Sequence, residues 1–189
     1  MKTPFYACSL GLGLWSLALA MLAAWGNSSP AAEEKAHKLQ TVSLRKMAES
    51  LHAVIAANQK LAVEAKASAG PTNSQPSHAD LLRRANLSIQ QDGAEFSYTL
   101  RSLQPIHGSA EPQTEVEQLG LEKVSAAAGE PFMTEETLGG RSYFTAVFPE
   151  IASRASCIEC HNSHPDSRRK DYRVGDVMGA IIIRIPLEF

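Results

Sequence analysis

Five residues near the end of this 189-residue chain constrain it most: Cys157, Ile158, Glu159, Cys160 and His161, a C-x-x-C-H run. Two thiols at this spacing reach the two vinyl groups on one edge of a porphyrin and close two thioether bonds. The next residue, His161, then lies under the iron as its proximal ligand. This is the attachment pattern of a c-type haem. Three other readings compete. A thioredoxin-like redox pair opens a helix after a strand, whereas Asn162, Ser163, His164, Pro165, Asp166 and Ser167 read as a turn-rich loop. Structural zinc takes four ligands, and Cys157, Cys160, His161 and His164 crowd three of them into five residues. A disulfide between Cys157 and Cys160 is the plain structural reading. The motif and the export segment together favour haem.

The chain opens with Lys2 and an uncharged apolar run over residues 5–25, broken by Gly26, Asn27, Ser28, Ser29 and Pro30. That is the layout of a secretory signal. The run is longer than the usual signal core and approaches the length that spans a bilayer, so an uncleaved inner-membrane anchor is the alternative. Residues 1–30 are therefore expected to be a signal peptide or anchor, and residues 31–189 one periplasmic domain, soluble or tethered. Cys8 reads as a small apolar residue of the run. The other two of the three cysteines are those of the motif, so the exported domain is not a disulfide scaffold. Net charge is −2, with no basic block interleaved with aromatics, which argues against a nucleic-acid partner.

Residues 31–69 contain neither Gly nor, after Pro30, any Pro, and read as one long helix. Leu44, Met47, Leu51, Val54 and Ile55 make its expected apolar stripe. Residues 70–76 are a loop. Ser77 is positioned to cap a second helix over 79–90, with Leu81, Leu82, Ala85 and Ile89 inward. Phe96, Tyr98 and Leu100 alternate with polar residues as a strand. Residues 105–112 read as a loop and 114–127 as a helix with Val116, Leu119 and Val124 inward. Gly139 and Gly140 mark a hairpin-like turn, 143–148 a strand, and 177–186 a last strand. Ile181, Ile182 and Ile183 make that strand apolar on both faces, hence central. Helices first, then strands with one helix between them, predict an α+β fold with an antiparallel sheet.

His161 is the expected proximal iron ligand. For the sixth position His52 is favoured: it flanks the apolar stripe, and Ala48 and Ala56 on the same side leave room for a flat porphyrin. Met47, His37, His78 and His107 are the other candidates, and His164 reads as a solvated loop histidine. Haem propionates favour arginine partners; Arg141 foremost, then Arg154, Arg168, Arg169 and Arg173, are candidates. No Ser/His/Asp grouping, phosphate-binding glycine loop or distal acid–base group is evident, so an enzyme acting on a small molecule at an open haem face is the less favoured reading.

The stretches 96–106, 136–149, 157–167 and 175–180 together resemble the bacterial single-c-haem, PAS-like domain family. Its most specific part is Cys157-x-x-Cys160-His161, supported by Gly139-Gly140 and by Gly175 through Gly179. The resemblance runs from about Lys46 to the end. It implies a PAS-like antiparallel sheet with a long N-terminal helix packed near one covalent haem c and its iron. Members occur as stand-alone exported proteins and as sensory parts of kinases and chemotaxis receptors. The sequence ends directly after the last strand, so any signal is expected to leave through a partner or the N-terminal segment. Two functions follow as expectations. One is an electron carrier or redox-responsive protein with a redox partner. The other is a sensor of a small gas or of redox state.

Overall fold

A computed structural model describes residues 30–69, 77–127 and 129–188. The apolar run at 5–25, Cys8 and the loop at 70–76 lie outside the described residues. Helix α1 (Pro30–Ala69) is followed by α2 (His78–Gln91), β1 (Ser97–Arg101), a single 3-10 turn (Gly108–Ala110), α3 (Glu115–Ala126), β2 (Phe132–Leu138), β3 (Arg141–Ile151), α4 (Ala155–Ser163) and β4 (Val177–Pro186). The chain divides at Thr41/Val42 into two units. In the first, residues 30–40 are the opening turns of α1 and are exposed throughout. All that follows concerns the second. Among the described residues no helix is long and apolar enough to cross a membrane.

The four strands form one antiparallel sheet in the order β1–β4–β3–β2, so the fold is α+β. The central place predicted for 177–186 is the one β4 occupies. Its three consecutive isoleucines explain this: Ile181 and Ile183 face one layer and Ile182 the other, and all three are fully buried. Each such burial stabilises by roughly 1.5–3 kcal/mol. Gly139 and Gly140, at φ +59° and +82°, make the tight β2–β3 turn, a left-handed geometry that glycine adopts without a Cβ clash.

On one face of the sheet, Tyr98, Phe144, Ala146, Phe148, Ile181, Ile183 and Ile185 pack against Leu44, Ala48 and Ile55 of α1 and Leu82 of α2. Leu51 completes a row at helical spacing along α1. The expected stripe was partly misplaced. Met47 is 41% and Val54 61% exposed, because α1 carries apolar residues on two sides and only the side of Leu44 and Ala48 meets the sheet. Leu81 and Ala85 of α2 likewise face outward, while Asn86 accepts a hydrogen bond from the Tyr98 backbone N–H at 2.8 Å. Ser77 caps α2 through the Asp80 N–H, and Thr114 caps α3 through the Glu117 N–H, as their residue types favour.

The other face is covered by α3. Leu121 and Val124 pack on Val147, Ala180 and Ile182, and Leu119, expected inward, is exposed. Its place is taken by Gly120, whose missing side chain lets α3 approach Val147: a Cβ there would lie 2.6 Å from Val147 Cγ2. Beside this core sits a charged cluster. Arg184 reaches Glu117 at 2.9 Å and Glu136 at 2.8 Å, Arg101 reaches Glu117 at 3.1 Å, and Thr145 donates to Glu136 at 2.6 Å. Two cations and two carboxylates balance, which is what makes their burial tolerable.

Candidate haem site

The site grows out of the end of β3. The β3–β4 ladder is irregular at Glu150/Ile151, and three residues later the chain turns into α4. The sequence reads as a turn-rich loop directly after the motif, from Asn162; the structure sets Cys157, Cys160 and His161 in a nine-residue helix that runs on through Asn162 and Ser163. That helix explains the spacing. Residues at i, i+3 and i+4 share one helical face, so both thiols and the imidazole point the same way. Both thiols are free, Cys160 exposed and Cys157 half-buried. Such a face presents two nucleophilic sulfurs and one nitrogen ligand to a single flat partner. Among the described residues no group of three or more His, Cys, Asp or Glu side chains is assembled to hold a metal ion.

Helix α1 runs along β3 toward α4. Its His52 ring lies on Phe148, Gln59 donates to Glu150 at 2.8 Å, and Glu64 pairs with Arg154 at 3.2 Å. His52 Nε2 is buried and has no hydrogen-bond partner. Burial holds the His52 pKa below its ordinary value, favouring the neutral imidazole. Burial also raises the Glu150 carboxyl, with the Gln59 hydrogen bond opposing it. His52 and the motif thus come to the same end of the sheet from opposite ends of the chain.

Around His161 the structure adds Tyr172, which motif reasoning did not single out, and brings in Arg169, one of the propionate candidates. The Tyr172 ring stands edge-on to it. Asn162, the next residue, bonds the Tyr172 backbone on both sides, and Arg169 lies over the Tyr172 ring. Burial raises the Tyr172 phenol above its ordinary pKa. Only the loop from α4 to β4 folding back brings these groups together, and no local pattern announces that.

The remaining candidates fall elsewhere. Arg141 opens β3, at the opposite end of an eleven-residue strand from α4, and pairs with Glu95 at 3.1 Å. At about 3.3 Å per residue the structure does not bring it to the motif. Met47 lies about 140° around α1 from His52 at 3.6 residues per turn, on the exposed side. His37 is exposed in the opening turns of α1, and the side chain of His78 lies outside the described residues. His107 meets His164 edge-on at 5.9 Å. Arg168 pairs with Glu111, and Arg173 is exposed.

Fold and site together define an α+β domain whose antiparallel sheet delivers a C-x-x-C-H helix beside a long N-terminal helix. The chain belongs to the Tll0287-like family, whose model matches residues 29–186. Among solved structures it is similar to the cyanobacterial haem protein Tll0287, with 18% identity over 62% of this chain and 78% of that one and a TM-score of 0.48. No curated protein matches it.

Proposed function

We propose that this chain is an exported one-haem protein that carries or responds to single electrons. Cys157 and Cys160 hold the porphyrin through two thioethers, His161 is the proximal ligand and His52 the distal one. The observation that carries this reading is the shared helical face of two free thiols and an imidazole on α4. His52 supports it: a neutral imidazole whose buried Nε2 has no partner in the protein suits an iron ligand, since an unsatisfied buried nitrogen is otherwise costly. A haem held this way supplies a one-electron iron couple whose potential its axial ligands set. Arg154, one residue before α4, is better placed than Arg141 to meet a propionate. The apolar run at 5–25 supports a periplasmic location, free or anchored, with a redox protein as partner.

A second reading is a haem-based gas or redox sensor acting through a partner. One observation favours it: a cavity of about 440 Å³ is lined by Tyr172, the ring that meets His161, and offers room for a small ligand. Ultraviolet–visible spectra of oxidised and reduced protein, with and without CO, separate the two. A low-spin spectrum indifferent to CO supports the carrier; a high-spin spectrum that shifts rapidly with CO supports the sensor. Cell fractionation tests the location, and haem-loaded protein in the cytoplasm would contradict it.

A further inference from the structure

Tyr172 is 4% exposed, and three contacts fix its place. Asn162 Nδ2 donates to the Tyr172 carbonyl at 3.0 Å, and the Tyr172 N–H donates to Asn162 Oδ1 at 2.9 Å. This clasp ties Tyr172 to the residue directly after His161. The Tyr172 ring stands edge-on to the His161 imidazole, centroids 5.9 Å apart and planes at 85°. The Arg169 guanidinium carbon lies 4.4 Å from the Tyr172 ring centre, and Arg169 is itself fixed by Asp171 at 2.8 Å and Asp176 at 2.7 Å. Tyr172 and Arg169 also line the cavity described above. The clasp fixes the Tyr172 backbone beside α4, and the Arg169 guanidinium lies against its ring.

We propose that Tyr172 is a positioning residue of the proximal histidine: it biases the plane of the His161 imidazole, and Asn162 and Arg169 hold Tyr172 in turn. The inference rests on the haem reading above. A histidine tethered through its backbone and ligated through one nitrogen keeps one soft rotation, the turn of its ring about the ligand bond. A perpendicular aromatic ring in contact with it narrows that rotation, because edge-to-face pairs have a preferred geometry. A planar guanidinium on that aromatic ring holds it in turn.

The test uses the exported, haem-loaded protein with Tyr172→Phe, Tyr172→Leu and Arg169→Lys. Pyridine haemochrome gives haem content, and electron paramagnetic resonance of the ferric form gives g-values that follow the imidazole plane. We expect wild-type haem content in all three. Tyr172→Phe keeps the wild-type g-values, Tyr172→Leu shifts and broadens them and moves the midpoint potential, and Arg169→Lys shifts them in the same sense by less. Tyr172→Leu with full haem and unchanged g-values and potential overturns the proposal. Should that variant fail to fold, Arg169→Lys decides by the same criterion, since its site is half-exposed and its charge is kept. Wild-type protein without covalent haem would overturn the haem reading and this proposal together, whereas a haem-loaded but indifferent Tyr172→Leu overturns this proposal alone.

Discussion

The imidazole of His52 lies flat on the ring of Phe148, with centroids 4.1 Å apart and planes 5° from parallel. A stacked, half-buried imidazole loses hydration that its protonated form needs, so the pKa falls below the ordinary value of 6.5. In a haem-free Cys157→Ser/Cys160→Ser variant the unfolded chain then binds a proton at His52 more readily than the fold does. The linkage sign follows: stability is full above about pH 6.5 and is lost as pH falls toward the depressed folded pKa. Urea denaturation between pH 7.5 and 5 should show this loss, and adding His52→Phe should reduce it. Equal pH slopes with and without His52 would contradict the assignment.

In the haem-loaded protein, His52→Ala should leave the covalent haem in place, turn the iron high-spin and let CO bind quickly. Met47→Ala should leave the spectrum unchanged and alter stability by no more than about 0.5 kcal/mol, the ordinary range for an exposed site. Absorption spectra with CO decide this. An unchanged low-spin spectrum in His52→Ala removes His52 as the ligand.

Arg184 is the hub of the cluster beneath α3, with Glu117 and Glu136 each within 3 Å. Replacing it by Leu strands Glu136 and leaves Glu117 with Arg101 alone. Removing one partner of a buried pair costs about 3–5 kcal/mol, measurable as a lower urea midpoint at unchanged slope. A cost below ~1 kcal/mol would mean that water reaches the cluster.

Gly179 lies beside Arg101, just past the end of the β1–β4 ladder. A Cβ there would stand 2.6 Å from the Arg101 carbonyl oxygen, a backbone atom that moves only with its strand. Gly179→Ala should therefore destabilise by about 1–3 kcal/mol. Gly108→Ala, with nothing within 4 Å of the added carbon, is the control and should be close to neutral.

The sheet was legible where one residue type has one use. Three consecutive isoleucines announce a strand buried on both faces, paired glycines a hairpin turn, and Ser77 and Thr114 the starts of helices. β2 was harder, because Thr134, Glu135 and Glu136 look like exposed loop. Glu136 is buried only because Arg184, 48 residues on, neutralises it. α1 misled for a different reason: Met47, Val54 and Leu61 form a second apolar row, exposed in the fold, and periodicity alone cannot say which row meets the sheet. In the candidate site, Cys157, Cys160 and His161 stand out because haem attachment requires that spacing, and His52 is proposed because small neighbours flank it. Arg141 was chosen for its charge, which carries no information about the end of β3 on which it stands. Tyr172 has no local signal, since only a loop returning to α4 brings it to His161.

The central claim is that Cys157 and Cys160 carry a haem by two thioether bonds. Mass spectrometry of the exported protein after acid–acetone extraction tests it most directly. The account predicts one haem retained on the polypeptide, on the peptide containing both cysteines, and lost when both are replaced by Ser. Haem that extracts freely, or a peptide with two unmodified thiols, a disulfide or bound zinc in its place, would contradict it.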